Sequence, residues 1–449
     1  MTNALKLPPG STGLPLLGET LPFLSDMFGF IHRKTLQHGP VFRSSILGQK
    51  TVFLSGPSVM EQWLDPALVE RRGAVPGSLL QLFGGNPDIV PLLDGDAFLA
   101  RKALLLSAFS REAVASYLPR LQRSMEALFA RWAARGEGPV TADLKSLAIE
   151  AIVGSVLSME PGAELDALRA DYAVLFTAAT ALPLPLPGTA FTAGLKAVER
   201  ILARLTGVVR AHLAAAGAAP KSDGGADGLT RILAARTAAG EQLSPETAAR
   251  EMHHFVLAGV IVYGELVALL VQLDRHPEVQ ARLRAEVRAA SPSGQVTPGA
   301  LRQMPYLDQV VMELKRLTPI VPMSFGRAKA DLHFGEFVVP RGWLLMVGVG
   351  ESNRTANYTA PDTFDPDRFS EARKEQDRHP HAFTPQGAGT LAGHHKCAGY
   401  DYSTVVIQLF AVALLRDHAF SLPAQELAMN PKAIPPEYRN GLVVRFNRP

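Results

Sequence analysis

The sequence contains one cysteine, Cys397, in a setting suited to a thiolate ligand. It follows a glycine-rich coil, Pro385-Gln386-Gly387-Ala388-Gly389-Thr390-Leu391-Ala392-Gly393-His394-His395-Lys396, and precedes Ala398-Gly399 and a helical run from about Tyr400 to Leu415. Sulphur at the start of a helix gains from the positive end of the helix dipole and from nearby backbone donors, both of which lower a thiol pKa. The glycines let backbone approach a flat ligand. An isolated cysteine is most often a small buried hydrophobe, so the weight falls on its company. Glu313-Leu314-Lys315-Arg316, on a helix, and Asp365-Pro366-Asp367-Arg368-Phe369, in a loop, precede it in that order. Taken singly, Glu and Arg three apart on a helix form a solvated pair worth roughly a few tenths of a kcal/mol.

The elements that must position these groups are mostly helices. From about Ser110 to Leu213 apolar residues recur at three and four, as in Leu121, Met125, Leu128 and Trp132, and again in Leu195, Val198, Ile201, Leu202 and Leu205. Ala248 to Leu273 has few charges in its middle and predicts one long helix crossing the core. Strands are fewer. Residues 41–47 and 51–55 flank Gly48-Gln49-Lys50 as a hairpin, 337–347 reads as two strands around Pro340-Arg341-Gly342, and Asn440-Gly441 is a hairpin signal. Leu182-Pro183-Leu184-Pro185-Leu186-Pro187-Gly188 is a semi-rigid connector, because its prolines lack donors and extend their predecessors. Surface breaks are expected at Ala218–Gly225 and Ser291–Gly294.

Composition narrows the function classes. With 47% hydrophobic and 19% charged residues the 449-residue chain is globular, not disordered or fibrous. A net charge of +3 without blocks of like charge argues against nucleic acid as a partner. One cysteine excludes an intramolecular disulfide and points to a reducing compartment. The opening is interrupted by Pro8, Pro9, Gly10, Gly13 and Pro15, so it reads as neither a signal-peptide core nor a spanning helix. The expectation is a cytoplasmic protein with a proline-rich leader over 1–40, no transmembrane anchor and one catalytic domain over 1–449.

The ordered motifs and the unique cysteine resemble the cytochrome P450 superfamily. The likeness also takes in the Pro8-Pro9-Gly10 leader, the early hairpin, Asp94-Gly95 before a basic helix and the long core helix. It implies a mainly α fold with small β-sheets, the family's helical prism. It implies haem b (iron protoporphyrin IX) with Cys397 as metal ligand and axial thiolate, favouring cleavage of an oxygen-oxygen bond. Glu313, Arg316 and Arg368 would form a buried structural cluster near the cysteine coil. Groups placed by position around the cofactor and its propionates are His395, Arg327, Arg101 and Lys102, with Phe383 and Gly389 from the cysteine coil. Phe98 stands where the family usually has an aromatic or histidine.

The pattern departs on the core helix. There the family carries Ala-Gly-x-acid-Thr, whose acid and alcohol deliver protons; this chain has Ala258-Gly259-Val260-Ile261-Val262-Tyr263-Gly264-Glu265. Ile261 and Val262 cannot relay a proton, which leaves water, the substrate's own hydroxyl, or Glu265 one turn on as a catalytic proton source. Residues 94–102 and 385–389 resemble the fatty-acid peroxygenase branch, which also lacks the acid-alcohol pair. That branch holds its substrate carboxylate with an Arg-Pro on the core helix, where this chain has Ala258 and Gly259. Without that arginine a buried fatty carboxylate is costly to desolvate. Ala258, Gly259, Ile261 and Val262 are instead expected to line a pocket for a lipophilic neutral molecule. The leader and the leucine-proline run resemble branches that oxidise isoprenoid or retinoid-like compounds.

The reading is a haem-thiolate monooxygenase or peroxygenase acting on a lipophilic, terpenoid-like small molecule. It would be driven by a ferredoxin and reductase or by hydrogen peroxide. The missing relay keeps a redox-neutral haem isomerase, dehydratase or cyclase as an alternative, with a non-catalytic haem-binding protein beyond it.

Overall fold

The computed structural model describes residues 6–215 and 226–447; the break expected at 218–225 and the first five leader residues lie outside the described residues. Helices dominate, with small sheets at the periphery, as expected. The early hairpin forms in the expected place: β1 (Val41–Ile46) and β2 (Gln49–Leu54) run antiparallel. They join β3 (Val69–Glu70), β4 (Met323–Ala328) and β5 (Leu344–Gly348) in a five-stranded sheet of order β1-β2-β5-β4-β3. The β2/β5 pair is parallel and the others antiparallel. β5 is buried at every position, which explains its unbroken apolar run.

Two strands do flank Pro340-Arg341-Gly342, Phe337–Val339 and β5, as the sequence predicts; they are not each other's partners, since Phe337–Val339 pairs with Leu332–Phe334 and β5 with β2 and β4. The hairpin reading at Asn440-Gly441 needs correction. At Asn440-Gly441 the chain does turn, with Gly441 at φ +73°. The strands it joins, Glu437–Tyr438 and Val443–Asn447, part to different sheets. A turn signal records local backbone geometry; strand partners are chosen by burial elsewhere.

The helical body comprises α1 (Gly95–Leu106), α2 (Arg111–Arg135), α3 (Thr141–Leu157), α4 (Ala163–Ala179) and α5 (Ala190–Ala215). It continues with α6 (Pro245–Val260), α7 (Tyr263–Arg275), α8 (Pro305–Leu317) and α9 (Tyr400–Asp417). α4 and α5 pack together across the non-helical connector, and α6 lies against α3 and α5. Ser110 caps α2 by accepting from the Ala113 N–H, and Ser244 caps α6 from the Thr247 N–H ahead of Pro245. The stretch Pro245–Arg275 is long and apolar enough to cross a membrane, yet most of its apolar window is buried, as in a core helix.

That stretch is not the single helix the sequence predicts. α6 stops at Val260, and Ile261 and Val262 form a tight turn before α7. Here N–H groups reach back three residues, Gly264 to Ile261 and Glu265 to Val262, instead of four. Three adjacent β-branched residues, Val260, Ile261 and Val262, lie between glycines, and both glycines are forced by packing. A Cβ on Gly259 would lie 2.5 Å from Ile152, and one on Gly264 would lie 2.6 Å from Pro435. Stiff side chains and glycine together weaken the regular ladder.

Candidate active site

A cavity of about 480 Å³ lies between α6 and the cysteine coil. Cys397 lines it together with Ala398 and Gly399. The coil is held by the Cys397 N–H donating to the Gln386 carbonyl (2.9 Å), and the Cys397 carbonyl accepts from the Tyr400 N–H at the start of α9. The expected downward shift of the thiol is reversed. Burial pushes it up, outweighing the Gly399 N–H and the charges of Lys102 and Lys315. A sulphur that must be an anion in this place therefore calls for a positive counterpart on the cavity side. Gly387 (φ +98°) and Gly389 (φ +80°) allow the coil to fold on itself. Gly389, expected beside the cofactor, instead sits against His394, whose Cγ would lie 2.5 Å from an added Cβ. Phe383 is likewise displaced: its ring meets Phe369 edge-on at 5.4 Å in a small separate cluster with Tyr358 and is not part of the cavity wall.

Of the four basic or hydrogen-bonding candidates, two reach the cavity. His395 stacks on Phe98 at 4.0 Å and both line it. Burial, with Arg71 and Lys102 nearby, pushes this imidazole down to about 3. Lys102 also lines the cavity, its Nζ donating to the Lys396 carbonyl, and burial lowers its pKa. Arg101, one residue earlier on α1, faces away and is bound to buried Glu251 (2.8 Å) and to Asp88. Adjacent helix residues point about 100° apart, so both could not serve one site. Arg327 is also excluded: its guanidinium is consumed by the carbonyls of Gly73 and Gly342 and by Gln49 Oε1, where it ties β4 to neighbouring loops.

Arg71, which the sequence did not single out, also lines the cavity. Its backbone N–H, with that of Arg72, donates to the Asp94 carboxylate at 3.0 Å. Its guanidinium stacks over Trp63 at 3.8 Å, lines the cavity, and keeps one buried nitrogen, Nη1, without a partner. Gly326 makes room for it, since a Cβ there would lie 2.8 Å from Nη1. Burial pushes Arg71 down to about 10, which leaves it charged. Arg71, Lys102 and His395 lining one cavity with a sulphur donor fit a flat, iron-bearing group with two carboxylates. The only sequence signal was the Arg71-Arg72 pair itself.

The structural cluster forms as expected. Glu313, Arg316 and Arg368 are fully buried. Glu313 receives Arg316 at 2.7 and 2.9 Å, Arg368 at 3.0 Å and the Asp365 N–H at 2.9 Å. The remaining guanidinium donors reach the carbonyls of Asn353, Pro361, Thr359 and Thr363 and the carboxylate of Glu375. A buried triad so fully bonded holds α8 to the loop before the cysteine coil.

Opposite the sulphur, Ala258, Gly259, Ile261 and Val262 all line the cavity. Glu265 does not. Its carboxylate is buried in the core and pairs with Lys315 (3.4 Å), which also donates to Gln386 Oε1 (3.1 Å) and Ser403 Oγ (3.0 Å). Burial raises its pKa against the pull of Lys315. The turn at 261–262 rotates α7, so Glu265 faces α8 and α9 and is no proton source for the cavity. Tyr263 points away too, donating to Glu437 at 3.1 Å. Among the described residues no Asp or Glu lines the cavity.

The comparisons with known proteins agree with this geometry. The family profile described as Cytochrome P450 matches residues 8–439. "Putative cytochrome P450 120" of Synechocystis sp. is 28% identical over 430 residues, covering 95% of this chain and 94% of that protein. The structure of a retinoic-acid-bound cyanobacterial CYP120A1 superposes with a TM-score of 0.89 at 26% identity, covering 100% of both chains. Cytochrome P450EX alpha (CYP152N1) with myristic acid shares the fold, with a TM-score of 0.79 at 22% identity over 99% of both chains.

Proposed function

Because this chain belongs to the cytochrome P450 family, and is thereby a haem-thiolate, monooxygenase-type oxidoreductase, we propose that its substrate is a lipophilic, largely uncharged molecule of isoprenoid or retinoid-like character. The cofactor in this reading is haem b. Bound there, it supplies the oxidising chemistry through thiolate donation to iron. Cys397 would be its sulphur ligand, and Arg71, Lys102 and His395 would pair with its carboxylates. Phe98, stacked on His395, keeps that imidazole flat against the cavity wall.

The observation that carries the substrate reading is the cavity opposite Cys397, apolar and without a carboxylate. Val90, Phe109, Ile152, Phe176, Phe255 and Leu257 are among its apolar lining residues, so recognition comes chiefly from shape. The retinoic-acid-bound relative supports an isoprenoid skeleton. The connector contributes Pro183 to the lining, so the proline run that resembled isoprenoid-oxidising branches does touch the cavity. A fatty carboxylate finds no arginine of α6 on the cavity wall, since Arg250 does not line it. With Ile261 and Val262 inert and Glu265 turned into the core, none of the three passes a proton to the cavity. Ordered water or the substrate's own hydroxyl remains as the donor.

The absence of an acid also favours a second reading, a redox-neutral isomerase, dehydratase or cyclase. The test is turnover of a panel of terpenoids, retinoids and fatty acids by the haem-loaded protein with a ferredoxin and reductase, with hydrogen peroxide, and with neither. Oxygenated products in either oxidant system support the proposal. Steady product with neither selects the second reading, and product from fatty acids alone overturns the substrate assignment.

A further inference from the structure

Two histidines follow one another on α6 and have opposite surroundings. His253 is buried in the core with both ring nitrogens engaged, Nδ1 with the Tyr172 hydroxyl at 3.0 Å and Nε2 with the Leu82 carbonyl at 3.1 Å. His254 lines the cavity. It stands four residues before Ala258 and seven before Ile261, on the same helix face as the residues opposite Cys397. Its Nδ1 is buried and has no partner among the described residues. The ring is sheltered from bulk water but open to the cavity.

We propose that His254 is a specificity-determining residue, its neutral imidazole hydrogen-bonding one hydroxyl or carbonyl group on an otherwise hydrocarbon substrate. The inference rests on the lipophilic-substrate reading and deepens it by naming the polar group. Burial, reinforced by His253 and Lys102, pushes His254 down to about 4, so at neutral pH it offers one donor and one acceptor and no charge. A carboxylate would meet a neutral ring there, whereas an alcohol or ketone meets a matched partner. A plain hydrocarbon filling the cavity would leave the nitrogen dry and unpaired, a penalty that a hydroxylated analogue escapes. A site built to bond a hydroxyl discriminates strongly against the analogue that lacks one.

The test measures ligand-induced shifts of the Soret band in the haem-loaded protein. The probes are matched sets of hydrocarbon, alcohol, ketone or aldehyde, and carboxylic acid on a farnesyl, a β-ionone ring and a dodecyl skeleton. In the unaltered protein the alcohol or carbonyl member of at least one set is expected to bind about tenfold more tightly than its hydrocarbon. His254→Leu is expected to remove that preference while leaving hydrocarbon affinity in place, and His254→Gln, which keeps a donor and an acceptor, to restore most of it. Equal preferences in His254→Leu, tightest binding of the acids, or failure of all three sets to bind would overturn the proposal. So would loss of haem or of the thiolate-type Soret band in the reduced, carbon-monoxide complex of His254→Leu, since the ring would then serve the cofactor. If the unaltered protein lacks that band, it is the haem-thiolate reading that has failed.

Discussion

The two sides of the cavity treat polar groups in opposite ways. Below and beside Cys397, charge is abundant and mostly bonded: Glu313, Arg316, Arg368 and Glu375 satisfy one another, and Lys315 binds Glu265, Gln386 and Ser403. Opposite the sulphur, α6 presents carbon and one unpartnered imidazole. A charge moved out of water must carry its partners with it, so a dense buried network specifies one backbone arrangement, with Glu265 Oε2 the atom of these groups left without a hydrogen bond among the described residues. Arg71 Nη1 and His254 Nδ1, by contrast, are buried without a partner among the described residues, on side chains that line the cavity.

This contrast can be broken from either side. Cys397→Ala should abolish the thiolate-type spectrum and all oxidant-driven turnover while the fold, read by circular dichroism, persists. Glu313→Gln weakens a site that accepts from two buried guanidinium groups. We expect a loss of about 3–5 kcal/mol in chemical denaturation, enough to deplete folded protein. Arg71→Met and Arg101→Met sharpen the division between neighbouring cations. The first should speed haem transfer to excess apomyoglobin about tenfold with apoprotein stability little changed. The second should leave haem retention alone and destabilise the chain, because buried Glu251 loses its partner.

Glu265→Gln separates a structural carboxylate from a catalytic one. A loss of about 3 kcal/mol in stability is expected, with turnover per folded haem and its pH profile unchanged. A shifted pH profile would return Glu265 to proton delivery. The last effect is confined to acid pH and concerns His253, which burial holds down to about 4 in the folded chain against an ordinary value near 6.5. The unfolded chain takes up a proton below about pH 6.5 that the folded chain refuses until about pH 4. Stability from this group is therefore complete above pH 6.5 and lost as pH falls, by about 3 kcal/mol at most. Denaturation midpoints of the unaltered chain and His253→Gln across pH 4–8 measure it, and the variant should show a shallower acid decline.

Legibility followed the length scale of each interaction. The Glu313–Arg316 spacing, the glycine coil and the amphipathic helices are local patterns. Each turned out where expected, with the cluster and Cys397 in place. Lys102 and Arg101 show the limit: the sequence placed both beside the cofactor, and a 100° rotation on α1 sent one to the cavity and the other to Glu251. Glu265 failed for a related reason, since the helix phase that would have aimed it at the cavity is interrupted at 261–262.

The sequence by itself determined the ligand cysteine, the helical class, the buried triad and the loss of the acid-alcohol pair, because each resides in residue identity at short spacing. Only the tertiary structure decided that Arg71 and not Arg327 faces the cavity, that Glu265 belongs to Lys315, and that His254 is open to a ligand while His253 is not. Those outcomes depend on which distant segment supplies a hydrogen-bond partner first: Gly73 and Gly342 for Arg327, α8 for Glu265, Tyr172 and Leu82 for His253. Burial charges a polar group the full cost of losing water, and only the assembled fold says which groups are compensated from within and which remain for a ligand.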